Sequence, residues 1–90
     1  MYEVITSKLY RKQYKKISVG DRALINQAVK ILANGETLEP RYKDHPLIGN
    51  YTGFRECHIK PDLLLVYAIR DDVLELYLAA TGSHSELFNK

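Results

Sequence analysis

Hydrophobic residues in the first third of the chain recur at helical spacing, after a short β-prone run. Residues 2–5 form that run and predict an opening strand. Residues 7–17 then predict a helix capped by Thr6 or Ser7, whose hydroxyl would accept a backbone N–H bond. The predicted inward side chains of this helix are Leu9, Tyr10, Tyr14 and Ile17. Gly20 is predicted to end the segment.

A broader apolar stripe predicts a second helix, which begins with Asp21 as its N-cap and ends at Asn34-Gly35. Its apolar positions are Leu24, Ile25, Ala28, Val29, Ile31 and Leu32. The short link to the first helix predicts a helical hairpin. Residues 36–53 contain two prolines and two glycines, so they predict an irregular loop. A long loop in a small domain often has a function.

The pattern changes to strands from residue 54 onward. The alternation of residues 54–60 places one set of side chains on each face, Phe54, Glu56 and His58 against Arg55, Cys57 and Ile59. Residues 63–69 are almost all apolar and predict a central strand that is buried on both faces. Residues 73–80 predict a last strand, which Thr81-Gly82 would end before a short helix.

Together these elements predict an α+β fold, a curved antiparallel β-sheet with two N-terminal helices packed on one face and a short C-terminal helix. The tight turns between the last three strands imply antiparallel neighbours. The first strand cannot form a hairpin with the second across two helices, so we expect it at an edge or beside the last strand. The 90 residues are expected to form a single domain, residues 1–90.

Composition limits the classes of function. No apolar run approaches the ~18 residues of a membrane span, and the first apolar residues are too few for a signal peptide. Cys57 is the only cysteine, so no internal disulfide can form and a cytoplasmic location is expected. Net charge is +2, but basic residues crowd the first sixteen positions. They form either a face for a polyanion or an ordinary solvated helix face.

Metal and cysteine chemistry are disfavoured. Cys57 and His58 are adjacent in a predicted strand and would point to opposite faces, and no other short-spaced pair of zinc ligands occurs. Cys57 shares its predicted face with Ile59, so it is expected to be a core residue rather than a nucleophile. We therefore expect no metal and no cofactor.

Acid–base chemistry fits the remaining polar residues better. Histidine exchanges protons near neutral pH, and RNA carries its own nucleophile, the 2′-hydroxyl. A nuclease that uses this hydroxyl needs a base, an acid and cations that hold the phosphate. The candidates for acid and base are His45, His58, His84 and Asp62. The alternative for each histidine alone is a surface or loop residue without a role.

Three segments carry a family resemblance: DHPL at residues 44–47, GFRECHIKPD at 53–62 and TGSHSELF at 81–88. In this order they resemble the YafQ branch of the RelE/ParE toxin superfamily, over essentially the whole chain. The resemblance implies a RelE-like fold and the toxin of a bacterial toxin–antitoxin pair, a metal-independent ribonuclease that cuts mRNA in the ribosome. It also implies an acidic antitoxin that silences the enzyme, with the toxin alone monomeric.

By the same resemblance, His45, His58, His84 and Asp62 match the family's active-site residues, and Phe88 matches its terminal aromatic residue. We expect His84 to act as general acid and Asp62 or His58 as base. His45 would orient or bind the phosphate. Phe88 either stacks on an mRNA base or caps the core.

The chain departs from the family's pattern at Leu63, where relatives often have tryptophan, and at Ala80, where they often have arginine. Either Arg55, Arg41 or Lys43 replaces the missing cation, which we expect, or the toxin is slower or weaker than typical relatives. The loop residues 41 and 43 are the better candidates, because position 55 is predicted to face away from the histidine. The cations of the first helix are expected to rest on ribosomal RNA phosphates, and they are Lys8, Arg11, Lys12 and Lys15.

Two alternatives remain open. One is a ParE-like toxin of the same superfamily, which inhibits gyrase and cuts nothing. The other is an inactive relative that acts only in the antitoxin complex, which would explain Leu63 and Ala80.

Overall fold

Five strands form one sheet in the computed structural model, which describes residues 1–88. They are β1 (Glu3–Thr6), β2 (His45–Pro46), β3 (Arg55–Lys60), β4 (Leu63–Arg70) and β5 (Glu75–Gly82). Their order across the sheet is β1-β5-β4-β3-β2. The first strand therefore lies both at an edge and beside the last strand, as predicted.

The sheet is mixed rather than wholly antiparallel. The pairs β2–β3, β3–β4 and β4–β5 are antiparallel, whereas β1 runs parallel to β5. The antiparallel prediction is wrong for this one pair, because the chain leaves β1 through helices and not through a hairpin.

Two helices pack on one face of the sheet, α1 (Lys8–Tyr14) and α2 (Val19–Ala33). Ser7 caps α1 as predicted, since its Oγ accepts a bond of 2.9 Å from the N–H of Tyr10. The predicted start of α2 is wrong. Ser18 is the N-cap and accepts from the N–H of Asp21, so Asp21 and Gly20 both lie in the first helical turn. The helix ends before Asn34-Gly35, as predicted.

The core lies between these helices and the sheet. Its side chains come from α1, α2, β3, β4 and β5 and include Tyr10, Ile25, Ala28, Leu32, Cys57, Leu65, Tyr67, Leu76 and Leu78. Leu9 was predicted to face inward, but it is 53% exposed because it lies on the side of α1 that borders a surface groove.

The opposite face of the sheet is less covered and contains the candidate site. Leu64 and Val66 project to it from β4, and both are buried, so β4 is enclosed on both faces as predicted.

The predicted end of the last strand at Thr81-Gly82 is wrong. Both residues pair with β4 and belong to β5, because Gly82 can adopt the φ of 151° found there.

A short C-terminal helix, α3 (His84–Phe88), follows β5 as predicted. Residues 36–53 are mostly irregular, but they contain two 3-10 turns, Pro40–Tyr42 and Gly49–Tyr51, on either side of β2. Within residues 1–88, none of the helices is both long and apolar enough to cross a membrane.

Candidate functional site

Two histidines meet one carboxylate on the sheet face that α1 and α2 leave free. Glu56 and His58 project from β3, and His45 on β2 pairs directly with Glu56. The Nε2 atoms of His45 and His58 lie 3.4 Å and 3.8 Å from Glu56 Oε1. The two imidazole centroids are 6.4 Å apart. The structure thus brings together two of the three predicted histidines.

The Glu56 side chain is only 7% exposed. A buried carboxylate is costly unless cationic or donor groups face it, and the two imidazoles occupy that position. The sequence placed Glu56 on the same face as His58 but did not identify it as a site residue. The sequence did contain a signal for this role, because Glu56 is a single acidic residue in an otherwise buried strand, two positions before His58.

The His45 ring is held at both nitrogens. Its Nδ1 lies 2.8 Å from the carbonyl oxygen of Lys43, which can only accept, so Nδ1 carries a proton. Nε2 faces Glu56. Lys43 ends the preceding 3-10 turn in a left-handed conformation, with φ at 49°, and this turns its carbonyl toward the ring.

His84 and Asp62 form a second group at the start of α3. Asp62 lies in the turn between β3 and β4, and its Oδ1 accepts from the backbone N–H of His84 at 3.3 Å. The His84 ring lies 5.1 Å from the ring of Phe88, which packs edge-on against Tyr51 at 5.5 Å. Phe88 is half-buried by these contacts.

A row of paired residues connects the two groups. His58 pairs with Leu64, and Leu64 pairs with Gly82, two residues before His84. Neighbouring strands are about 4.8 Å apart, so the backbones of His58 and Gly82 are about 10 Å apart, with β4 between them. The helix α3 lies over the same face, where Phe88 shares a cavity with Val66.

The loop cations Arg41 and Lys43 lie close to His58, with which they line a cavity of about 330 Å³. Arg55 does not, because its Nε is bound to Asp44 Oδ1 at 3.2 Å on the core side of the sheet. Arg55 thus faces away from His58, as predicted, and the replacement of the missing cation by Arg41 or Lys43 stays a prediction.

The basic residues of α1 and of the segment just after it fall into three sets. Lys12 and Lys16 line a groove of about 820 Å³ that reaches Asp62, with Lys60 on its opposite wall. Arg11 is engaged locally, since its Nη1 donates to the Thr6 carbonyl at 2.6 Å. Lys8 and Lys15 are exposed.

The two departures from the family pattern have different surroundings. Leu63 is buried in the core. Ala80 pairs with Val66, which pairs with Glu56, so a side chain at position 80 shares the row of the buried carboxylate.

Cys57 is fully buried in the core, as predicted. Burial raises the pKa of its thiol to about 12, and the charges of Asp44 and Glu56 contribute. The thiolate that nucleophilic catalysis requires is therefore suppressed at neutral pH.

Among residues 1–88, no group of three or more His, Cys, Asp and Glu side chains is placed to hold a metal ion.

Comparison with known proteins agrees with this architecture. The family model described as bacterial toxin of type II toxin–antitoxin system, YafQ, matches residues 2–89. The mRNA interferase toxin YafQ of Escherichia coli K12 is 35% identical over 82 residues, which cover 90% of this chain and 82% of that protein.

Two solved structures are similar over almost the whole chain. A metal-bound toxin from Helicobacter pylori has a TM-score of 0.86 and 45% identity, covering 98% of this chain and 100% of that one. The E. coli DinJ–YafQ complex gives a TM-score of 0.82 and 28% identity, covering 98% and 99%.

A five-stranded mixed sheet with two helices on one face and a short C-terminal helix is the RelE-like fold, which the E. coli YafQ structure shares. This chain belongs to the YafQ family of toxins of type II toxin–antitoxin systems.

Proposed function

We propose that this chain cuts mRNA as the toxin of its toxin–antitoxin pair and uses the 2′-hydroxyl of the substrate as nucleophile. The observation that carries the proposal is the meeting of His45 and His58 at the buried Glu56 carboxylate. The name of the E. coli relative, mRNA interferase toxin, supports the same reaction.

In this reaction, a base removes the proton of the 2′-hydroxyl, whose oxygen then attacks the neighbouring phosphorus. The bond to the 5′-oxygen breaks, and an acid protonates that oxygen. The products are a 2′,3′-cyclic phosphate and a 5′-hydroxyl. Atoms and charge balance without a metal or cofactor.

His58 is the base in this proposal. It is half-buried, and the Glu56 carboxylate beside it stabilises the imidazolium that forms when the ring takes the proton. Arg41 and Lys43 line the same cavity and offset the charge that develops on the phosphate. His45, held between Lys43 and Glu56, orients the phosphate.

His84 is the general acid for the leaving oxygen. Its ring is exposed at the first position of α3, two residues after Gly82, which pairs with the same β4 residue as His58. Asp62 binds the backbone of His84, so its role in this proposal is to hold the start of α3 rather than to act as base. Phe88 borders His84 and, in this proposal, stacks on a base of the mRNA.

The ribosome and an acidic antitoxin are the proposed partners, in the cytoplasm. In this proposal, exposed basic residues on and just after α1 rest on ribosomal RNA phosphates, namely Lys8, Arg11, Lys12 and Lys15, and such contacts weaken steeply with added salt. E. coli YafQ has been solved in complex with DinJ, which supports an antitoxin as the partner here.

Induced expression tests the proposal. We expect arrest of growth and mRNA cuts at defined codon positions, mapped by primer extension. His84→Ala should relieve both and leave the protein folded, whereas Ser85→Ala, its exposed neighbour, should remain toxic. Purified toxin that has been treated with EDTA and desalted should cleave mRNA on intact ribosomes as fast as untreated toxin. Damaged DNA with intact mRNA would favour a gyrase-inhibiting toxin, and folded protein without toxicity would favour an inactive relative.

A further inference from the structure

The Asp44 carboxylate is fixed on the core side of the sheet, away from the histidines. Its Oδ2 accepts a bond of 2.8 Å from the Tyr67 hydroxyl, and its Oδ1 accepts a bond of 3.2 Å from Arg55 Nε. The side chain is only 18% exposed. Both carboxylate oxygens are therefore held by side chains from two different strands, β3 and β4.

The next residue, His45, projects to the opposite face of the sheet. Its backbone pairs with Glu56, and Pro46 pairs with Arg55, but β2 contains no further residues. A two-residue edge strand has few backbone hydrogen bonds, so this pairing alone fixes the segment weakly. One further backbone bond joins Leu47 N–H to the Phe54 carbonyl at 2.9 Å, and the side chain of Asp44 adds its two bonds on the core side.

We propose that Asp44 is a positioning residue for His45, holding the two-residue strand so that the imidazole stays beside Glu56. The inference rests on the proposed nuclease function of that site. It gives Arg55 a different role from that suggested by the sequence, since its guanidinium binds Asp44 and not a phosphate.

Tyr67 is suited to holding Asp44 because its hydroxyl remains a hydrogen-bond donor. Burial raises the pKa of its hydroxyl, and the hydrogen bond from that hydroxyl to Asp44 raises it further. The hydroxyl is therefore protonated at neutral pH. Asp44 supplies the acceptor for both the tyrosine and the arginine.

Asp44→Asn tests the proposal, because the amide keeps the size of the side chain and removes its charge. We expect kcat for cleavage of ribosome-bound mRNA to fall about tenfold to a hundredfold, with KM nearly unchanged, since sub-ångström misplacement of a site residue slows chemistry. Asp72→Asn, in the exposed turn between β4 and β5, is the control and should cleave at the wild-type rate.

The decisive comparison uses a double variant. If Asp44 acts through His45, adding Asp44→Asn to His45→Ala should cause no further loss, because the residue to be positioned is absent. If Asp44→Asn lowers kcat by the same factor in the wild-type protein and in the His45→Ala variant, the proposal is overturned. Tyr67→Phe, which removes only one bond to the carboxylate, provides a milder variant if Asp44→Asn does not fold.

A second measurement does not depend on cleavage. In NMR spectra, Asp44→Asn and Tyr67→Phe should shift the ring signals of His45 and leave those of His84 unchanged. Unchanged His45 signals in both folded variants would overturn the positioning role. If the signals shift while the wild type cleaves no mRNA, the nuclease proposal fails and the positioning of His45 stands.

Discussion

His45 and Glu56 lie directly opposite each other on neighbouring strands, with His45 Nε2 3.4 Å from Glu56 Oε1. The same oxygen lies 3.8 Å from Nε2 of His58. The carboxylate is almost fully buried, whereas the side chains of His45 and His58 are 46% and 28% exposed. Glu56 is thus the charged group that faces both imidazoles.

Glu56→Gln is the first prediction. The amide preserves the shape of the side chain but cannot stabilise a positively charged imidazole, so single-turnover cleavage should slow by at least about tenfold. Glu75→Gln is the matched control, since Glu75 is half-buried on β5 and pairs with Arg70. Cleavage by Glu56→Gln at the wild-type rate would show that the carboxylate has no part in the reaction.

Gly82→Ala is expected to damage both the fold and the site. Gly82 has φ at 151°, and an added Cβ would lie 2.9 Å from Oε1 of Glu86. The cost in unfolding free energy should exceed about 1 kcal/mol. Cleavage should fall by more than the loss of folded protein, because residue 82 leads into His84.

Gly20→Ala is the control for that variant. Gly20 lies in the first turn of α2, and a Cβ there meets no atom within 4 Å. Alanine should stabilise the helix by up to about 1 kcal/mol. Thermal melting of both variants checks the pair, and a Gly82→Ala protein as stable as wild type would contradict the predicted strain.

Acid should loosen α3 through Glu86. This carboxylate accepts from the backbone N–H of Ser83 at 2.8 Å, while Ser83 Oγ accepts from the N–H of Glu86, so the two residues form a capping box. The bonds from Ser83, backbone first and then side chain, hold the pKa of Glu86 below its ordinary value of 4.5.

A lowered pKa in the folded state fixes the sign of the pH effect. The stabilisation is fully present above the ordinary pKa of 4.5 and is lost as pH falls through the lower folded-state value. NMR signals of residues 84–88 should therefore broaden or shift as the pH is lowered from 5, and Glu86→Gln should remove this transition. If the NMR signals of residues 84–88 change with pH in the same way in the wild type and in Glu86→Gln, the capping role is contradicted.

Local patterns predicted most of the fold. Strand alternation identified Cys57 as a core residue and placed Glu56 and His58 together on the opposite face. Helix ends were less predictable, because Ser18 and Asp21 are both good capping residues and only the packing of α2 selects the earlier one.

The site was only partly predictable, because it depends on contacts distant in sequence. Glu56 was placed on the correct face, but its two partners come from β2 and β3, and the register of β2 is not apparent in a loop rich in proline and glycine. The partners of Asp44 were missed for the same reason, since Arg55 is eleven residues away and Tyr67 lies on β4.

The buried thiol provides a prediction that is independent of the site. With its pKa raised to about 12 by burial, Cys57 should resist alkylation at pH 8 and react only on unfolding in denaturant. Cys57→Ala should cost about 1 kcal/mol of stability and retain full cleavage. Rapid labelling of the folded protein, or loss of cleavage in a folded Cys57→Ala variant, would contradict the assignment of this residue to the core.

The most direct measurement of the mechanism changes one atom of the substrate. An mRNA with a single 2′-deoxynucleotide immediately 5′ of the scissile phosphate is programmed on ribosomes beside the unmodified mRNA. The proposed chemistry predicts a 2′,3′-cyclic phosphate from the unmodified strand and no cut at the modified position. Cleavage of the 2′-deoxy position at an undiminished rate would contradict it.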